Sequence, residues 1–168
     1  MKKHLVLIGM PASGKSTIGI MAAKFLGLDF IDTDILIQRA AGCTLPAIIK
    51  ARGLDGFLDF EGEIVSKTLP GLPSVIATGG SVIYRDEAMR HLKSIGTVIY
   101  LKLSCENLKK RLHALEERGV VIGGGMSFEE LYAERIPLYE AYADAAIEED
   151  GKDTHEILRE LARIYEHI

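Results

Sequence analysis

The chain has 168 residues, 48% of them hydrophobic and 26% charged, with a formal net charge of −4. That length suits one domain with a sizeable core, and the acidic balance argues against nucleic acid as a partner. No apolar run reaches the length of a membrane span, and no membrane association is expected.

Met1-Lys2-Lys3-His4 leads directly into Leu5-Val6-Leu7-Ile8, a continuous apolar run of the kind that forms a buried parallel strand. A cleaved signal peptide would remove that strand, so none is expected. Next comes Gly9-Met10-Pro11-Ala12-Ser13-Gly14-Lys15-Ser16-Thr17, which fits G-x-x-x-x-G-K-[ST] without mismatch. Ile18 to Leu26 follows as a helix, so the motif stands between strand and helix, where a phosphate loop belongs. Glycines let such a loop curl until its N–H groups point inward at phosphate oxygens, and the helix N-terminus adds partial positive charge. The nucleotide-holding set is Gly9, Ala12, Ser13, Gly14, Lys15, Ser16 and Thr17. Lys15 would reach the β- and γ-phosphates, the Ser16 hydroxyl would ligate Mg²⁺, and Thr17 would support the loop or the helix start. The alternative, a glycine–serine turn opening an ordinary helix, leaves the match of both pattern and context unexplained.

Leu28 to Asp32 is a short second strand ending in acid, followed by a helix from about Asp34 to Ala41. Thr44 can cap a helix that ends near Arg52-Gly53, and Phe57 to Leu69 is a further helix stopped by Pro70-Gly71. Ser74 to Thr78 is a third strand closed by Gly79-Gly80. Glu87 to Lys93 is helical, and Thr97 to Leu101 is a fourth strand. Ser104 can cap a helix from Cys105 to about Glu117. A glycine-rich span, Gly119 to Gly125, then interrupts the pattern. Helices resume at Ser127 to Ile136 and Leu138 to Tyr142, Ala145-Ala146-Ile147 is a last short strand, and Asp153-Thr154 opens an amphipathic helix to Ile168. Cys43 and Cys105 lack metal-ligand spacing and are expected as free thiols of a reducing cytoplasm.

Strands alternating with helices predict an α/β fold, a three-layer sandwich whose five-stranded parallel sheet carries helices on both faces. In such sheets ligands bind beyond the C-terminal ends of the strands. Three segments meet that description: the phosphate loop, Asp32-Thr33-Asp34, and Gly79-Gly80-Ser81. One aspartate of the pair can serve a metal and the other can receive a hydroxyl proton, or one can simply cap the next helix. Gly79-Gly80 suits close approach of backbone to a ligand or a tight turn. The span after Arg118 suits a lid over the phosphates or a surface loop, and Arg118 and Arg135 are the cations placed to assist.

These residues resemble the shikimate kinases, a branch of the nucleoside-monophosphate-kinase-like phosphate-loop fold. The resemblance covers nearly the whole chain. It rests on Gly9 to Thr17, Asp32-Thr33-Asp34, Phe57 with Glu61, Gly79-Gly80, and Arg135-Ile136-Pro137-Leu138-Tyr139, which matches R-x-P-L-Y. It implies a single kinase domain over residues 1–168 with a lid at about 113–126, Mg²⁺-ATP as phosphoryl donor, and a small hydroxy acid as acceptor. It implies Lys15, Asp34 and Arg118 as the catalytic set, with Asp34 as base and Arg118 on phosphate. It implies Arg111 packing on adenine, Ser16 and Asp32 serving Mg²⁺, and Arg135 holding the acceptor carboxylate. The acceptor surface would comprise Asp34, Leu58, Asp59, Gly79, Gly80, Ser81 and Arg135. A monomer is expected.

Three positions depart from the family pattern. Leu58 stands where F-R-x-x-E places a second carboxylate-binding arginine, Ser81 replaces a third glycine, and Arg118-Gly119-Val120-Val121 replaces R-P-L-L. The nucleotide half is intact and the acceptor half altered. Homoserine is therefore an alternative acceptor, its ammonium facing Asp59 or Glu61. A nucleotide-binding regulatory module is a further alternative, against which the intact Lys15, Ser16, Asp32 and Asp34 argue.

Overall fold

Alternation along the central strand sorts the core. In β1 (His4–Ile8), Val6 and Ile8 face one way and Leu5 and Leu7 the other, and all four are buried. The computed structural model describes residues 4–116 and 125–168. The chain continues through α1 (Lys15–Leu26), β2 (Asp29–Asp32), α2 (Thr33–Ala41), α3 (Leu45–Ser66), β3 (Ser74–Ala77), α4 (Asp86–Ile95), β4 (Gly96–Lys102), α5 (Cys105–Glu116), α6 (Phe128–Tyr142), β5 (Ala145–Glu148) and α7 (Thr154–Glu166). The strands form one parallel sheet in the order β2-β3-β1-β4-β5, the predicted α/β architecture.

Each face of the sheet has its own apolar cluster. Ile18, Ala22 and Ala23 of α1 and Ile157, Leu158 and Leu161 of α7 pack on Leu5, Leu7, Val75, Ile99 and Leu101. Val65, Met89, Leu92, Leu108 and Tyr139, from α3 to α6, pack on Val6, Ile8, Ile76, Val98 and Tyr100. A third cluster stands apart, made of Ile37, Ile48, Phe57 and Leu58 between α2 and α3. The strand order reverses direction around β1, which opens a crevice at the C-terminal edge of the sheet. The phosphate loop lies in it.

Two boundaries differ from the sequence reading, each for a physical reason. The two helices expected on either side of Gly53 form one run, Leu45–Ser66, bent at Gly53 with φ 71° and ψ 175°. Glycine carries the left-handed bend without a Cβ clash, and the Arg52 guanidinium bridges it by lying 4.4 Å from the Phe60 ring centre. The break expected at Pro137 does not occur, because α6 continues through it to Tyr142. The residues beyond the proline are held by packing: Tyr139 is fully buried, and Leu138 and Tyr142 lie against the same core. A short 3₁₀ turn, Val82–Tyr84, was not anticipated.

Ser127 and Asp153 close reciprocal capping boxes with Glu130 and Glu156. Both cysteines are free. No described helix is long and apolar enough to cross a membrane. Arg118 and most of the expected lid fall outside the described residues.

Candidate active site

The phosphate loop owes its shape to three positions. A Cβ on Gly9 would stand 2.7 Å from the Leu101 carbonyl oxygen, so only glycine fits there. Gly14 has φ 93°, and Ala12 adopts φ 66° despite its side chain, a conformation that costs an L-residue about 1–2 kcal/mol. Lys15 is buried, and its Nζ donates to the carbonyl oxygens of Gly9 and Met10, both at 2.8 Å. Burial lowers its pKa to about 8, opposed chiefly by the negative charge of Asp34. The ammonium thus sits inside the loop on weak neutral acceptors, ready to exchange them for phosphate oxygens. Thr17 is exposed at the start of α1.

Asp32 uses both of its carboxylate oxygens. Its Oδ1 accepts from the Asp34 N–H at 2.9 Å and caps α2. Its Oδ2 accepts from the Ser16 hydroxyl at 2.7 Å. Two hard oxygen donors in contact beside a phosphate loop fit Mg²⁺, which takes one or two protein oxygens and completes its shell with water and phosphate. Thr33, buried beneath, accepts from the Gly79 N–H at 3.2 Å and ties the end of β2 to the end of β3.

Asp34 and Glu61 converge on Gly79. A Cβ there would stand 2.5 Å from Glu61 Oε1 and 2.9 Å from Asp34 Oδ1. Burial raises the Asp34 pKa, helped by the charge of Asp32. Glu61 is fully buried, and burial lifts its pKa to about 7, opposed by the Ser81 hydroxyl, which donates to Oε2 at 2.6 Å. Gly80 is just as tightly placed: a Cβ would meet Pro11 Cδ at 3.0 Å and Arg135 Nη1 at 3.1 Å. The Arg135 guanidinium therefore lies against the Gly80 backbone beside the phosphate loop. Its Nε donates to the Tyr84 hydroxyl at 3.2 Å, and its Cζ lies 5.1 Å from that ring's centre. Tyr139 of the same helix donates to the Gly80 carbonyl at 2.6 Å.

The sheet edge thus gathers Lys15, Ser16, Asp32, Asp34, Gly79, Gly80, Ser81 and Arg135. Leu58 and Asp59 are placed differently. Leu58 packs in the third apolar cluster. Asp59 is exposed and paired with Arg85 at 2.8 Å, which occupies one of the two carboxylates expected to face a substrate ammonium. Arg111 lies on the far side of the loop, with Nη1 donating to the carbonyl oxygens of Ala12 at 3.3 Å and Ser13 at 3.1 Å.

Tyr84 and Glu149 were absent from the expected site residues, and Glu61 was expected only as a partner for a substrate ammonium. Glu61 stood within a quoted motif segment, and Glu149 directly follows β5, where the strand-end rule points. Tyr84 carried no sequence signal.

The shikimate kinase family model matches residues 11–166 of this chain. A shikimate kinase of Thermodesulfovibrio yellowstonii is 36% identical over 168 residues, covering 99% of this chain and 96% of that one. A shikimate kinase of Clostridium botulinum is 40% identical over 141 residues, covering 82% and 83%. Among solved structures, shikimate kinase from Acinetobacter baumannii in complex with shikimate superposes with a TM-score of 0.83 at 27% identity, over 96% of this chain and 91% of that one. The crevice geometry and these relatives agree: this chain belongs to the shikimate kinase family and is an ATP- and Mg²⁺-dependent small-molecule kinase.

Proposed function

We propose that this chain transfers the terminal phosphoryl group of ATP to a hydroxyl of shikimate. The observation that carries the reading is the pairing of a buried-side carboxylate, Asp34, with the Arg135 guanidinium across Gly79-Gly80, both beside Lys15. A hydroxy acid fits that pair, with its hydroxyl on Asp34 and its carboxylate on Arg135. The acceptor oxygen forms its bond to the γ-phosphorus as the bond to the β,γ-bridging oxygen breaks, and the hydroxyl proton passes to the Asp34 carboxylate. Burial and Asp32 make Asp34 a stronger base than an ordinary carboxylate. Lys15 compensates the charge that develops on the leaving diphosphate. Mg²⁺, when bound, neutralises phosphate charge, with Ser16 and Asp32 as its protein partners. Arg118 is assigned to phosphate by the resemblance.

The working unit is proposed to be a monomer, and two free thiols support a cytoplasmic setting. The test is ATP consumption measured by a coupled assay with shikimate and with homoserine. Saturable turnover on shikimate alone is expected. Turnover on homoserine alone would refute the acceptor assignment.

A further inference from the structure

The chain holds a second buried carboxylate outside the acceptor crevice. Glu149 directly follows β5, and its side chain is 1% exposed. Its backbone is fixed by the N–H, which donates to the Lys102 carbonyl at 2.8 Å. Oε2 accepts from Arg111 Nη1 at 3.2 Å, and Oε1 has no hydrogen-bond partner among the described residues. A buried, half-satisfied carboxylate is costly. Packing does not require one: a neutral side chain would fill the space without that cost. The arrangement makes sense through what Arg111 does next.

The same Nη1 that meets Glu149 also donates to the carbonyl oxygens of Ala12 and Ser13. It packs close to Gly14 as well, where a Cβ would stand 3.5 Å away. Ala12 is the residue held at φ 66°. One guanidinium nitrogen thus bridges a buried carboxylate and the two carbonyls at the strained turn of the phosphate loop. Turning those carbonyls outward leaves the N–H groups of the loop free to face phosphate.

We infer that Glu149 is a positioning residue for nucleotide binding: it anchors Arg111, and through Arg111 it fixes the Ala12–Ser13 turn in its phosphate-receiving shape. The hydrogen-bond partners of Glu149, Arg111 and the Lys102 carbonyl among them, lie outside the acceptor crevice, so its effect is confined to the nucleotide.

The test compares wild-type protein with Glu149→Gln, which keeps the shape and removes the charge. The ATP KM should rise roughly tenfold, the equivalent of about 1.4 kcal/mol, while kcat and the shikimate KM stay within twofold. A double-mutant cycle supplies the readout that a merely structural role would not move. In an Arg111→Gln background, Glu149→Gln should change the ATP KM no further, because its route to the loop is gone. An additive effect in that background overturns the inference, as does an unchanged ATP KM in Glu149→Gln, or an equal rise in both KM values. If Glu149→Gln does not fold, Glu149→Asp reads the same quantity, because it keeps the charge but withdraws it from Arg111. Wild-type protein that fails to bind ATP would refute the kinase reading itself, an outcome separate from any of these.

Discussion

Gly79→Ala tests the core of the acceptor site with a single methyl group. The backbone of Gly79 is not left-handed, so alanine adds no φ strain and the effect comes from its Cβ alone. That carbon would stand 2.5 Å from Glu61 Oε1 and 2.9 Å from Asp34 Oδ1, where carbon–oxygen contacts settle near about 3.4 Å. Glu61 must therefore retreat by about 1 Å, and the 2.6 Å bond from Ser81 cannot survive that shift. A hydrogen bond to a charged group is worth about 1.5–3 kcal/mol. At about 2 kcal/mol, a chain of this size should lose roughly 4–8 °C in Tm. Asp34 is pushed as well, and a displacement of that order at a reacting group lowers kcat by about 10². The phosphate loop is untouched, so the ATP KM should hold. Thermal melting and the coupled ATP assay give all three readings. Wild-type kcat with wild-type Tm would show that the two carboxylates do not converge on Gly79 as described.

Further outcomes follow from the same geometry. Asp34→Asn should leave ATP affinity unchanged and reduce turnover by about 10² or more; lost ATP affinity with a normal residual rate would make Asp34 a metal or structural residue. Glu61 has a folded pKa of about 7 against an ordinary 4.5. Below pH 4.5 it is protonated in both states and carries no penalty; between pH 4.5 and 7 the unfolded chain ionises first, so the folded state loses up to about 3 kcal/mol as pH rises. Urea midpoints should fall across that window in wild-type protein and fall less in Glu61→Gln, and equal slopes would contradict the assignment. Leu58→Arg should lower Tm, because a guanidinium enters an apolar cluster, and should leave the shikimate KM equal or lower. A higher shikimate KM at unchanged Tm would count against shikimate as acceptor.

The nucleotide half of the site was legible in the sequence because a phosphate loop is a local device. Nine consecutive residues carry the turn, the cation and the helix start. The sheet was legible for a similar reason, since each buried parallel strand is an unbroken apolar run between breakers. The acceptor half depends on contacts between distant segments. Glu61 meets Ser81 across 20 residues, and Arg135 meets Tyr84 across 51, and no periodicity encodes either pair. Position 58 shows the same limit: its motif register suggested a site residue, while the fold turned leucine into a small core. Pro137 shows tertiary packing overriding a local breaker. The partnership of Glu149 with Arg111 spans 38 residues and left no trace beyond an acidic strand end.

The cluster of Ile37, Ile48, Phe57 and Leu58 has a consequence of its own. It shares no buried residue with the two clusters on the sheet faces, so α2 and the front of α3 form a jaw with a private core of four side chains. Asp34 and Glu61 ride on the two helices of that jaw, while Lys15 and Arg135 belong to the body of the molecule. Opening a unit with so small a core costs a fraction of global unfolding. Asp34 and Glu61 can therefore shift relative to Lys15 and Arg135 without opening the clusters on the sheet faces. The acceptor side can also be remodelled by substitution, one apolar residue at a time, without disturbing the machinery that holds ATP.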